Sequence, residues 1–376
     1  MIYFDHNATT PIIPEVRDTV ENAMERYWAN PSSTHTLGRK AADELELARD
    51  RLAALLKVAS DEIHFTSGGT EADNLALLGI INGEYTGSIV ISDIEHPAVG
   101  NAAEFLEEKG VLCYRVPVDK EGILRINELH EVVNDSVQLV SVMFANNEIG
   151  TIQPMKQIGE TAARYHIPLH SDAVQAFGKM PLNLTENGIS LCSISSHKIY
   201  GPKGCGALYV SREVPIAPRT YGGSQERGIR TGTQNLPAIL GFVKAAEIAY
   251  AKMNAEREYL FNLTEFLYSR ITATITDVVR NGHPEQRIPG TLNISFPGTT
   301  SDMIVKALDK QRICVSGGAA CHSGSVGSSH VLQAIGRRKQ EAVAGVRFSL
   351  GRASTREEVE IVVRVLKQVV ESLRAQ

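Results

Sequence analysis

The sequence predicts an α/β fold, a sheet of strands covered by helices, and two observations carry that prediction. Short apolar runs with strand character recur between residues 63 and 210, and several segments between them space their apolar residues three and four apart. That alternation sets strands side by side with helices packed over them. With 376 residues, 43% hydrophobic and 22% charged, the chain can bury a large core and is long enough for two domains.

Taken in order, residues 63–66, 89–92, 112–116, 139–144, 168–172, 191–195 and 207–210 read as strands. Residues 72–81 and 158–165 have helical spacing. From Leu236 the pattern changes to one long helical stretch reaching about Arg270. A strand, helix and strand follow, and an amphipathic helix closes the chain from about Thr355 to Leu373. The change of pattern places a domain boundary near Ala255, inside the long helix. No internal repeat or low-complexity segment is present.

The net charge of −5 and a pI near 6.1 argue against a nucleic-acid-binding surface, and the basic run Arg337, Arg338, Lys339 reads as a solvated helix end. The amino terminus, MIYFDHNATTP, carries Asp5 and no basic region leading into an apolar core, and nowhere do eighteen uncharged apolar residues run together. A cytosolic protein without membrane contact is expected. Cys113, Cys192, Cys205, Cys314 and Cys321 form an odd set without CxxC spacing, which suits neither a disulfide framework nor a zinc site, and no metal is expected.

The chemistry centres on residues 195–206, SSHKIYGPKGCG, where Lys198 follows an apolar strand beside Ser195, Ser196 and His197. A lysine held at a strand end can lose its proton and attack a carbonyl. Taken alone, Lys198 is better explained as a surface lysine in a glycine turn. Three further stretches in order reverse that reading. FTSGGTE (65–71) follows a strand and opens a helix, so its glycines, free N–H groups and the Thr70 hydroxyl can cradle a phosphate, although a capped helix start fits equally well. It is not GxGxxG, which counts against a nicotinamide cofactor. HSDAVQ (170–175) puts Asp172 at a strand end 26 residues before Lys198, a place from which a carboxylate can pair with a protonated pyridine nitrogen, or else cap a helix. Gln175 is open between a ligand contact and a surface amide. DIEHP (93–97) sets His96 before a helix start, where it could stack on a planar cofactor and take protons. Asn147, in NNEIG (146–150), follows another strand and could be no more than a polar turn.

The stretches HNATTP, FTSGGTEADNLA, ANNEIGTIQP, HSDAVQAFGK, SSHKIYGPKGCGALYV, GGSQERGIRTGTQN and VRFSLGR, in this order across nearly the whole chain, resemble those of NifS/IscS-type cysteine desulfurases. These are pyridoxal-phosphate enzymes with the class V aminotransferase fold. The resemblance implies fold type I, the aspartate aminotransferase-like fold, with a large mixed-sheet α/β domain at 15–255 and a smaller α+β domain from 1–14 and 256–376. It implies that Lys198 binds pyridoxal 5'-phosphate as a Schiff base, that His96 stacks on the ring, that Asp172 pairs with the ring nitrogen and that Gln175 bonds the ring hydroxyl. Thr70, Ser195 and His197 would hold the phosphate, with Thr233 contributing from the other subunit of a homodimer. Asn147 would touch cofactor and substrate, and Arg347 would grip the substrate carboxylate as a bidentate fork.

The resemblance assigns the remaining chemistry to Cys321. Nine of the fourteen residues 316–329 around it are Gly or Ser, a composition that buries little and should be mobile, letting the thiol swing between cofactor and an outside acceptor. Attack near neutrality needs the thiolate, and His322 or the substrate amine could assist. The other four cysteines read as packing residues. The implied reaction converts L-cysteine to L-alanine, leaves its sulfur on Cys321 as a persulfide, and passes it to an acceptor such as an iron–sulfur scaffold or a thiolation pathway. The local sequence SGGAACHSG is closer to the ACHS context of selenocysteine lyases than to the usual SSGSAC, so a selenocysteine lyase is one alternative. A catalytically silent scaffold protein of the same fold is another.

Overall fold

The computed structural model describes residues 1–81, 85–318 and 328–375. Its first part contains β1 (Ile2–Tyr3), α1 (Pro14–Arg26), α2 (Thr36–Leu56), β2 (Ile63–Thr66), α3 (Gly69–Ile81), β3 (Ser88–Ser92), α4 (Pro97–Glu108), β4 (Leu112–Val116), α5 (Ile126–Val132), β5 (Val137–Ser141), α6 (Met155–Ala163), β6 (Leu169–Asp172), β7 (Leu191–Ser195) and β8 (Gly206–Val210). The long α7 (Leu236–Thr274) leads to β9 (Val279–Asn281), β10 (Thr291–Ser295), α8 (Ser301–Lys310), β11 (Ile313–Cys314), β12 (Ser316–Gly317), α9 (His330–Ala334), α10 (Lys339–Ala342), β13 (Gly345–Ser349) and α11 (Arg356–Arg374).

Seven strands form one mixed sheet in the order β2-β8-β7-β6-β5-β3-β4, with β8 antiparallel to both neighbours and the other pairs parallel. Strands β2, β3, β6, β7 and β8 are buried at every position, which a sheet covered on both faces requires. The strand expected at 139–144 is displaced to Val137–Ser141. Its tail still pairs, since Val142 N–H donates to His170 O at 3.1 Å and Phe144 N–H to Asp172 O at 2.8 Å. Helices α1 and α2 precede the alternation read from the sequence. Pro14 starts α1, while α2 is capped by His35, whose ring accepts from Gly38 N–H at 3.1 Å, a cap outside the usual Ser, Thr, Asp and Asn set.

Two cores share α7. Leu240, Phe242, Val243 and Ala246 join the core on the large sheet, and Leu260, Leu263, Leu267 and Ile271 join a second core with β10, β13 and α11. α11 presents Val359, Val362, Val363, Leu366 and Val370 to it at helical spacing, and its start is fixed by the reciprocal bonds of Thr355 and Glu358, 3.2 and 3.0 Å. The amino-terminal segment crosses from this core to the large sheet. Phe4 packs in the second core, His6 N–H donates to Ser349 O at 3.0 Å, and Thr10 bonds His197 O at 2.8 Å and Tyr200 N–H at 2.7 Å.

A buried ion pair fixes the loop between β8 and α7. Arg49 of α2 meets both carboxylate oxygens of Glu226 at 2.6 and 3.0 Å, and the same carboxylate accepts Phe65 N–H at 2.8 Å. Glu226 and its neighbour Arg227 hold left-handed backbone, φ 45° and 56°, a conformation that these contacts must stabilise. Glu226→Gln should therefore cost about 3 kcal/mol or more in unfolding free energy, measured by denaturant titration, because it leaves Arg49 buried and uncompensated. A loss below about 1 kcal/mol would mean that the pair does not hold the loop.

Candidate active site

A cavity of about 380 Å³ lies where the parallel strands end. A sheet buried on both faces leaves its carboxyl edge as the place for polar side chains. Five of the strands deliver groups there: Thr70 after β2, His96 after β3, Met143 after β5, Asp172 at the end of β6, and Ser195, His197 and Lys198 from β7 and the turn that follows it. Gln175, Asn147 and Arg347, also expected at the site, lie on its wall.

Lys198 Nζ donates to the carbonyls of Asn7 and Ala8 at 2.5 and 2.9 Å. Asp172 is buried, and one of its oxygens accepts Val174 N–H at 2.9 Å. Burial pushes its carboxyl up, while His96 and Lys198 draw it down. Two further buried acids, Asp73 on the cavity wall and Glu95, have no Lys198 charge drawing them down. Glu95 is pushed up to about 8 by burial, against bonds from Ser92 and Met143 N–H, and Asp73 is pushed up by burial and by the Asp172 charge. Of the three, Asp172 is the one whose raised pKa a lysine charge draws back down.

His96 caps α4, its Nδ1 accepting Ala98 N–H at 3.1 Å, so the proton of the neutral ring sits on Nε2. Burial lowers its pKa, the Asp172 charge opposes this in part, and Lys198 and His330 lower it further, which keeps the ring neutral. His197 is lowered to about 4, first by burial and then by the charges of Lys198, Lys203 and Lys179, and its Nδ1 lies 3.2 Å from Thr9 Oγ1. Arg347, on β13, donates to Asn147 O at 3.1 Å and to Asp5 at 2.9 Å.

The residues at the start of α3 suit a phosphate. Ser195 Oγ is buried without a protein partner, Thr70 is exposed in the first turn, and a Cβ on Gly69 would stand 2.7 Å from Val174, so only glycine lets the backbone pass. The helix start supplies N–H groups to the same spot. With a carboxylate, a neutral imidazole and a lysine amine around one cavity, the donor set fits pyridoxal 5'-phosphate.

Thr233 is exposed on the loop before α7 and does not line this cavity. Cys321 and His322 lie outside the described residues, but Gly318, Ser328 and Ser329, on either side of them in sequence, border the cavity. Cys113, Cys192 and Cys205 are buried with thiols pushed up by burial, Cys113 to about 11, as packing cysteines should be. Cys314 is only partly buried, at the short strand β11, because that strand pairs with β1 at the rim of the second core. Sequence reasoning missed Asn7, Ala8, Asp73, Glu148 and His330 on the cavity wall.

Glu148 is the one of these with a measurable signature. Its carboxyl accepts Ser329 Oγ at 2.6 Å, and burial pushes its pKa from 4.5 up to about 7, against the pull of Ser329 and Arg347. A raised carboxyl pKa favours the folded state while the group is protonated, and that contribution is lost as pH rises through the folded value. Relative to the unaltered chain, Glu148→Gln should therefore have similar unfolding free energy near pH 5 and gain progressively towards pH 8 in urea titrations. Parallel stability profiles for the two proteins would contradict this.

Comparison with known proteins agrees with the geometry. The aminotransferase class-V family matches residues 2–362. A cysteine desulfurase IscS of Dictyoglomus turgidum is 40% identical over 375 residues, 99% of this chain and 95% of that one. A solved NifS-like protein superposes with a TM-score of 0.92 at 34% identity, covering 100% of both chains. Another structure, SspA in complex with cysteine, has a TM-score of 0.83 at 33% identity, covering 93% of this chain and 99% of that one. On its fold, its site and these full-length similarities, the chain belongs to the aminotransferase class-V family.

Proposed function

We propose that this chain is a pyridoxal-phosphate-dependent cysteine desulfurase, taking L-cysteine to L-alanine and leaving the sulfur on Cys321. The observation that carries the reading is the convergence of Lys198, Asp172, His96 and Arg347 on one cavity, bordered by the residues next to the Cys321 stretch. Desulfurase relatives that match 99% of the chain support it.

Pyridoxal 5'-phosphate, bound there, supplies an electron sink for the carbanion at the substrate α-carbon. Lys198 Nζ is the group that holds it covalently, and the Asn7 and Ala8 carbonyls give the amine a docking place. Asp172 would hold the proton of the ring nitrogen, His96 would cover the ring face, and Gln175 would bond the ring hydroxyl. Thr70, Ser195 and His197 would hold the phosphate, joined by Thr233 of a second copy in a homodimer. Arg347 binds the substrate carboxylate with Asn147 beside it, using N–H groups not committed to Asp5 or Asn147 O. The Cys321 thiolate attacks the substrate sulfur, so an S–S bond forms as the C–S bond breaks. The electron pair of that bond stays with the carbon fragment, which takes up protons and leaves as alanine. The persulfide then passes its outer sulfur to an acceptor protein, an iron–sulfur scaffold being the proposed one.

Among the described residues no helix is long and apolar enough to cross a membrane, and a cytoplasmic setting is part of the proposal. The test is alanine release from L-cysteine under reductant, comparing the unaltered protein with Cys321→Ala. Release should fall at least about a hundredfold in the variant, the loss expected on removing a nucleophile. Activity restricted to selenocysteine and retained in Cys321→Ala would instead make the protein a selenocysteine lyase.

A further inference from the structure

Lys179 has no part in the reaction described above, yet its environment is unusual for a lysine. It ends the turn after β6, where Phe177 is fully buried against Phe242 and Tyr250 and Gly178 holds φ 72°, so the turn is anchored in the core. The ammonium stands near two other cations, Lys198 and Arg347, and with burial as the main cause its pKa falls to about 7. Both protonation states still carry N–H donors.

Three hydrogen bonds connect this lysine to the pivot of the site. Lys179 Nζ donates to Gln175 Oε1 at 3.0 Å, Gln175 Nε2 donates to the Asn7 carbonyl at 3.0 Å, and Lys198 Nζ donates to that same carbonyl at 2.5 Å. The two ends of a glutamine amide have almost the same shape, and partners alone decide which way it points. At Gln175 a donor faces the oxygen and a carbonyl faces the nitrogen, so the amide has one orientation that satisfies both. In that orientation the second N–H of Nε2 is left for the cavity that Gln175 lines.

We propose that Lys179 is a positioning residue that locks the Gln175 amide, so that Nε2 presents one N–H to the Asn7 carbonyl and the other to an oxygen acceptor on the bound cofactor ring. Without it only the Asn7 carbonyl holds the amide's orientation, so turning the oxygen towards that acceptor, where attraction becomes repulsion, costs one hydrogen bond instead of two. Lys179 thus acts on the cofactor through Gln175 and without touching it. The inference rests on the assignment of this cavity to pyridoxal 5'-phosphate.

A double-mutant cycle on the full-length protein tests it, reading the dissociation constant for pyridoxal 5'-phosphate by equilibrium dialysis and the visible absorption maximum of the loaded protein. Gln175→Ala should weaken binding about tenfold and Lys179→Met about five- to tenfold, the range of one lost hydrogen bond. The double variant should be no more than about twofold weaker than Gln175→Ala, because Lys179 has nothing to act through once the amide is gone. Lys179→Met should also move the absorption maximum in the same direction as Gln175→Ala, which a merely structural defect would not do. Lys179→Arg keeps a donor near Gln175 Oε1 and should stay within about threefold of the unaltered protein. Losses that multiply in the double variant, an unmoved absorption maximum, an unchanged dissociation constant in Lys179→Met, or a loss in Lys179→Arg equal to that in Lys179→Met would each overturn the proposal. If the unaltered chain bound no pyridoxal 5'-phosphate, the assignment of the cavity would fall first and this inference with it.

Discussion

Burial of the central sheet on both faces is the constraint from which the site follows. Strands such as β7, Leu191–Ser195, have no exposed position, so a polar group on them must find a partner or sit at an end. A polar residue that does lie inside shows how: His170 bridges Ser141 and Ser193 at 2.8 and 3.0 Å and is held neutral by burial. The reactive groups lie at the carboxyl edge, where Asp172, Ser195 and Lys198 emerge within two neighbouring strands and the turn after them. The register sets their spacing, with Asp172 opposite Ser193 across the β6–β7 pair.

The second constraint is electrostatic. A low-dielectric floor that carried three ionised acids would repel itself; burial raises the pKa of all three, and of them only Asp172 has the Lys198 charge drawing it back down. Above the floor the cations Lys198 and Arg347, with the partly buried Lys179, shape a region that attracts phosphate and carboxylate groups. Asp5 offsets part of that charge at Arg347 while Ser316 bonds the same oxygen at 2.8 Å, tying β12 to the amino-terminal segment.

Much of this was legible in the sequence because the key side chains sit in strand-to-loop junctions with distinctive neighbours. Lys198, Asp172, His96 and Thr70 each follow an apolar run and precede a turn or helix start, a pattern that local reading detects. Asn7 and Ala8 were not legible, since they act through main-chain carbonyls, which any residue carries, from a segment nearly two hundred positions from Lys198. Glu148 lay inside a motif already singled out for Asn147, but only its buried bond to Ser329 distinguishes it from a turn glutamate. In the fold, the 139–144 strand was read long because Val142, Met143 and Phe144 continue the apolar run after the ladder proper ends. Helices α1 and α2 escaped because their stop and start signals depend on a proline and a histidine cap.

The central claim is that Lys198 is the residue that carries the cofactor in this cavity. Borohydride reduction of the protein loaded with pyridoxal 5'-phosphate, followed by peptide mass mapping, measures this directly. The account predicts one phosphopyridoxyl group per chain, on the peptide containing Lys198. A label on Lys179, on another lysine, or on none would contradict it.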